Sequence, residues 1–279
     1  MITGASSGLG RQTALALAER GARLWLVARD QGRLDAVARD IKDTTGNRGV
    51  HVLACDLSAQ CDVRWVAERF LESAEPLDVL VNNAGAVRGF RREVSVEGIE
   101  RTFALNHLAY FTLTMMLLPR LSECAPARVI NVTGDAYKGA GRFDFDDYDA
   151  LRHYRPIYQY EQSKLANVLF TRELARRVKG TRVTVNAVGP ARTTATRFAH
   201  NVHPLAKVAM RAASPFLLSA DRGAAPIVHL STSPDVAACN GTYWSGMQQA
   251  TVTGFVNDED ALRLWNLSEQ LTGVCERVS

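Results

Sequence analysis

Apolar positions along this chain recur in two alternating rhythms. Short buried-type runs at Arg23 to Ala28, Val50 to Cys55, Leu77 to Val81, Arg128 to Val132 and Arg182 to Val188 predict strands. Between them, apolar residues return every three or four positions, which predicts helices near Ala14 to Ala18, Gln31 to Asp43, Ser58 to Ser73 and Ile99 to Leu121. A further helical run opens at Tyr160 and continues through Ala166, Leu169, Phe170, Leu174 and Val178. Gly241 to Trp244 predicts a last strand, and Ala261 to Leu271 a last helix. Strands separated by helices of roughly 10–15 residues imply right-handed βαβ crossovers, hence a parallel sheet with helices on both faces. The expected fold is α/β, a single-domain doubly wound sheet over residues 1–279 with its ligands at the carboxyl ends of the strands. The rhythm lapses over 191–226, where apolar side chains interleave with loop residues and His200, His203, Met210 and Phe216 occur. That stretch is expected to be a flap over a bulky nonpolar substrate.

Composition narrows the class. With 47% hydrophobic and 22% charged residues, the chain suits a compact domain with a large core rather than a disordered segment. The net charge of +4 is spread along the sequence, and Arg91-Arg92 and Arg176-Arg177 are too small to make a nucleic-acid face. Cys55, Cys61, Cys124, Cys239 and Cys275 lie apart, without a CxxC, so a reducing cytoplasm is expected and no metal site. The most apolar run, Leu113 to Leu118, is far short of the roughly 20 residues of a membrane span, and neither signal peptide nor membrane anchor is expected.

Candidate chemistry then stands out. Thr3-Gly4-Ala5-Ser6-Ser7-Gly8-Leu9-Gly10 is a glycine-rich turn into a helix N-terminus, where free backbone N–H groups can hold a pyrophosphate. The strand that should precede it is almost missing: either the chain as given starts late or that strand is very short. Where the second strand ends, an acid would hold a ribose 2'-hydroxyl and a cation a 2'-phosphate. Arg29 stands there, which predicts NADP(H) with help from Ser6 or Ser7, although the adjacent Asp30 could supply the acid. Tyr160 and Lys164 are four apart, about one turn along one helix face. An ammonium near a phenol favours the phenolate and makes the hydroxyl a usable proton donor or acceptor, as carbonyl reduction requires. The acidic, aromatic stretch from Tyr137 to Ile157 lacks the alternation of a calcium loop and reads as a solvated insertion.

Together the glycine turn, Asp56-Leu57, Asn82-Asn83-Ala84-Gly85, Asn106, Tyr160-x3-Lys164 and Gly189-Pro190 resemble the short-chain dehydrogenase/reductase family, whose fold is Rossmann-type. Ser163 to Arg177, Val183 to Ala187 and Leu264-Trp265 are similar to its retinol-dehydrogenase-like branch. The resemblance implies Tyr160 as the general acid, Lys164 lowering its pKa and holding the nicotinamide ribose, and Asn106 positioning a water. It further implies cofactor contacts from Gly4, Ser6, Ser7, Gly8, Leu9, Gly10, Arg29, Asp56, Leu57, Asn83, Ala84, Gly85, Pro190 and Thr193. Relatives pair through helix faces, so a homodimer is a partner the resemblance allows.

Two departures follow. The family's catalytic serine falls on Gly134, leaving Thr133, Asp135 or a substrate hydroxyl to compensate; losing one oxyanion donor costs about 10²–10³ in rate. Pro190-Ala191 replaces Pro-Gly, and a later family threonine falls on Ala195. The expected activity is an NADPH-dependent ketoreductase for a bulky, apolar, aromatic or polycyclic ketone of the kind found in bacterial secondary metabolism and antibiotic biosynthesis. The alternatives are a retinol/retinal-type dehydrogenase and, from another class, a catalytically impaired NADP(H)-binding sensor.

Overall fold

The first strand, β1, holds only Ile2–Thr3, yet it lies at the centre of the sheet between β2 (Leu24–Ala28) and β4 (Val79–Asn82). The structure, a computed structural model, describes residues 1–190 and 220–275. Its remaining strands are β3 (Val50–Ala54), β5 (Ala127–Val132), β6 (Val183–Gly189), β7 (Tyr243–Ser245) and β8 (Gln248–Ala250). They form one eight-stranded sheet in the order β3-β2-β1-β4-β5-β6-β7-β8. Every pairing is parallel except β7 with β8, an antiparallel hairpin at the edge that the sequence pattern does not predict. The strand order reverses between β1 and β4, and a crevice opens at such a switch point.

Adjacent residues of each central strand face opposite cores, because successive side chains alternate across a sheet. Leu26, Val81 and Ile130 face α1 (Gly8–Ala18), α2 (Gln31–Thr45) and α7 (Ala220–Thr232). Val27, Leu80 and Val129 face α3 (Gln60–Glu72), α5 (Ala109–Glu123) and α6 (Pro156–Arg177). Burial on both faces explains why the strands read as unbroken apolar runs. Helix α8 (Asp258–Thr272) starts on an Asn257 cap and seats the buried Trp265 against Phe111 and Phe170.

Four sequence expectations need correction. The helix bearing Tyr160 begins earlier, at Pro156, whose fixed φ and missing N–H suit a first helical turn. The predicted helix from Ile99 to Leu121 is not uniform: a short α4 (Arg101–Phe103) leads into a π-helical turn, Ala104–Leu108, before α5. The stretch from Tyr137 to Ile157 is not a solvated insertion. Tyr137, Phe143 and Ala150 are buried, Phe103 packs on Phe143 and Tyr148, and the aspartates serve as turn caps, Asp144 accepting from the amides of Asp146 and Asp147. Finally, of the flap 191–226, residues 191–219 (with His200, His203, Met210 and Phe216) lie outside the described residues, whereas 220–226 open α7. Pro226 removes one hydrogen bond inside that helix, and burial of Ile227, Val228 and Leu230 outweighs the loss.

Candidate active site

The glycine turn and the Asn82-Asn83-Ala84-Gly85 segment are built as one piece. Thr3 Oγ1 accepts from the amides of Asn83 (2.9 Å) and Ala84 (3.0 Å), and Asn83 Nδ2 donates to the Thr3 carbonyl at 2.8 Å. Asn82 anchors the piece from below, donating to Thr114 Oγ1 and Asn131 Oδ1, both at 2.9 Å. A Cβ on Gly10 would lie 2.4 Å from the Gly4 carbonyl oxygen, so this glycine lets α1 approach the turn and does not itself line the cavity above it. That cavity brings together Gly4, Ser6, Ser7, Gly8, Leu9, Arg29, Asp56, Leu57, Asn83, Ala84 and Gly85, all named as candidate cofactor contacts above.

At its far end, the carboxylate of Asp30 accepts from the amide of Arg33 at 3.0 Å and so caps α2. Arg29 is exposed at the same strand end. Asp56 accepts from the amide and hydroxyl of Ser58 and from Arg101 Nη2 at 2.6 Å. Burial alone would raise its pKa; these bonds outweigh that and hold the carboxyl below the usual range. Arg33, Cys55, Ala86, Arg88 and Leu105 also line the cavity, and sequence reasoning missed them. Burial and the carboxylates of Asp62 and Asp56 push the Cys55 thiol up to about 12, which makes it an inert lining group. Arg88 had one sequence signal, a cation three residues after Gly85.

Asn106, Lys164 and Gly85 converge. Built as alanine, Gly85 would bring its Cβ within 3.3 Å of both Asn106 Oδ1 and Lys164 Nζ. Asn106 sits in the π-helical turn, where its side chain accepts from the Ala86 amide and donates to Ser163 Oγ, and its own carbonyl accepts from Asn167 Nδ2 at 2.8 Å. Single π-turns inside α-helices recur at functional sites. Lys164 is buried; Nζ donates to the Val132 carbonyl at 3.0 Å and lies 5.6 Å from the Tyr160 ring centroid. The expected lowering of the tyrosine pKa by this lysine is not what the geometry gives. Burial drives both groups toward neutrality, pushing Tyr160 up to about 12 and pulling Lys164 down to about 7. Pro190 follows β6, and Thr193 lies outside the described residues.

Around the missing serine, Gly134 takes φ +117° and ψ 159°, a backbone open at low cost only to glycine. Thr133 Oγ1 donates to the Lys164 carbonyl at 2.8 Å, so its hydroxyl points into the helix and is already engaged. Asp135 accepts from Tyr243 Oη at 2.9 Å and pairs with Lys138 at 2.7 Å. Burial would raise its pKa, but the bonds from Lys138 and Tyr243 hold it low, and an ionised carboxylate cannot donate to an oxyanion. Neither residue replaces the serine. Gly189 keeps this corner closed, because a Cβ on it would lie 2.7 Å from Tyr243 Oη and 3.0 Å from Gly134 Cα.

The short chain dehydrogenase family model matches residues 1–205. The chain belongs to the short-chain dehydrogenase/reductase family. Within it the chain is retinol-dehydrogenase-like: it is 39% identical to mouse retinol dehydrogenase 12 over 275 residues, covering 98% of this chain and 86% of that protein. An uncharacterized protein from Mycobacterium paratuberculosis has the same fold at a TM-score of 0.78 and 32% identity, over 99% of this chain and 94% of the other. The Pseudomonas aeruginosa RhlG/NADP active-site complex is similar at 0.68 and 28%, over 87% and 91% of the two chains. This short-chain dehydrogenase/reductase is an oxidoreductase of CH–OH and C=O groups that uses a nicotinamide cofactor. The cavity fits one: it combines a helix N-terminus without acidic residues in its first turn with a buried arginine nitrogen, Arg88 Nε, that lacks a partner among the described residues. No helix among the described residues is long and apolar enough to cross a membrane, and no cluster there could hold a metal.

Proposed function

We propose that this enzyme is an NADP(H)-dependent oxidoreductase for a bulky, apolar carbonyl or alcohol of the retinal/retinol type. The observation that carries the reading is the likeness to mouse retinol dehydrogenase 12 over 98% of this chain and 86% of that protein. For the cofactor, support comes from Arg29 at the end of β2, from Asp30 turning its carboxylate to its own helix, and from the NADP-bound Pseudomonas aeruginosa neighbour. A nicotinamide cofactor held in this cavity would supply the hydride chemistry.

The chain's own residues manage the proton and the geometry. Tyr160 donates its phenolic proton to the developing alkoxide in reduction and takes it back in oxidation. Lys164, whose pKa burial lowers, stands beside that residue with Nζ 5.6 Å from the Tyr160 ring centroid and would reach the ribose. Asn106, fastened by Ala86, Ser163 and Asn167, keeps the π-turn open as a proton route. Ser6, Ser7 and Gly8 would hold the pyrophosphate, Asp56 and Leu57 would flank the adenine, and Pro190 would approach the carboxamide.

A second reading is favoured by Gly134: a polycyclic ketone with a hydroxyl beside its carbonyl would supply the hydrogen bond that the serine position lacks. Both are tested by following NADPH consumption with purified enzyme, offering all-trans-retinal in one series and a peri-hydroxylated polycyclic ketone with its deoxy analogue in another. The first reading expects turnover of retinal. Turnover confined to the hydroxylated ketone would replace it with the second, and no turnover of any of them would remove both.

A further inference from the structure

Arg88 is 8% exposed, and its Nε finds no hydrogen-bond partner among the described residues. A buried charged group with an unsatisfied donor is destabilising in general, and a ligand that completes it removes that cost. The residue follows Gly85 by three positions and lines the same cavity as Arg29 and the glycine turn. The third arginine of the lining, Arg33, is paired with Asp30 at 3.3 Å, and Arg101, outside the lining, is paired with Asp56 at 2.6 Å and Glu93 at 3.4 Å. Arg29 and Arg88 make no such ion pair among the described residues, and they bring two arginines to the cavity wall beyond the ends of β2 and β4. Burial, then the charge of Arg101, pulls the Arg88 pKa down, and Arg29 adds to this; the carboxylates of Glu93 and Asp56 oppose it. The groups that reach Arg88 electrostatically therefore sit at the adenosine side of the crevice, around Arg29, Asp56 and Arg101.

We propose that Arg88 is a buried phosphate-binding residue that grips the ribose 2'-phosphate of NADP(H) from inside the crevice while Arg29 meets it from the rim. The proposal rests on the NADP(H) reading above. A planar guanidinium with free donors suits a phosphate better than a point charge does, and an anion arriving here would neutralise two arginines that otherwise repel each other. The site thus gains twice from the extra phosphate: Arg88 acquires its missing partner, and the repulsion with Arg29 is relieved.

The test compares wild type with Arg88→Met by calorimetric titration of NADPH and of NADH, and by thermal unfolding without cofactor. Wild type is expected to bind NADPH at least tenfold more tightly than NADH; equal binding would remove the NADP(H) reading itself. Arg88→Met is expected to weaken NADPH by about 10- to 100-fold, the size of a lost charge-assisted contact, while NADH changes less than threefold. Without cofactor the variant is expected to melt at or above the wild-type temperature, because a buried unpaired charge is gone. Equal weakening of both nucleotides would assign Arg88 to the pyrophosphate and overturn the proposal, as would unchanged NADPH binding or a lower cofactor-free melting temperature with NADPH preference intact. Arg88→Gln, closer in shape and polarity, is held to the same binding outcomes if the methionine variant does not fold.

Discussion

At the residue scale, the proton chemistry is set by burial. Burial pushes the Tyr160 pKa up to about 12, which favours the protonated acid needed for reduction, whereas oxidation needs the phenolate. Reduction should therefore show no alkaline fall attributable to Tyr160, and alcohol oxidation should rise with pH to the limit of enzyme stability; pH–rate profiles in both directions check this. Tyr160→Phe should lower turnover by at least about 10²-fold while NADPH affinity stays within a few-fold, since the hydroxyl acts on the reacting atoms. Restoring the family's serine is less simple than the sequence suggests. Gly134→Ser places a side chain in open space but at φ +117°, so it should destabilise by about 1–3 kcal/mol and give no clear gain in rate. A large activation would show that the backbone relaxes and that the serine alone was missing.

At the scale of elements, the π-turn between α4 and α5 exists because α6 holds it. Asn167 donates to the Asn106 carbonyl and accepts a contact from His107, so one α6 side chain fixes both consecutive residues of the turn. Asn167→Leu should lower stability by about 2–3 kcal/mol in denaturant unfolding, the range for leaving buried polar groups unpaired, and should reduce turnover through Asn106. Tyr137 behaves oppositely. It is fully buried, its hydroxyl has no partner among the described residues, and its ring packs on Tyr243. Tyr137→Phe keeps the packing and removes the orphan hydroxyl, so its melting temperature should equal or exceed that of wild type.

At the scale of the whole molecule, His107 makes the fold sensitive to acid. Burial outweighs its bond to Asn167 and pulls its pKa down to about 4 from 6.5. Between those values the unfolded chain binds a proton that the folded chain refuses, so stability rises with pH there and is lost as pH falls from 6.5 toward 4. The loss attributable to this residue is about 3 kcal/mol by linkage, and His107→Gln should flatten that limb of the stability curve. What the sequence by itself determined is the layered fold and the candidate residues of the site. Alternating apolar rhythms require βαβ crossovers; the glycine turn and the Tyr160–Lys164 pair are legible because local spacing and backbone needs constrain them, while Asn83 and Asn106 are legible only through the family resemblance. What only the tertiary structure decided depends on distant partners. The hairpin β7–β8, the π-turn, the packed stretch after Tyr137 and the unpaired Arg88 are settled by contacts between residues far apart in the chain. The same holds for the neutral bias of Tyr160 and Lys164. Spacing brings the two onto one helix face, but the desolvation that shifts them comes from everything packed around that face.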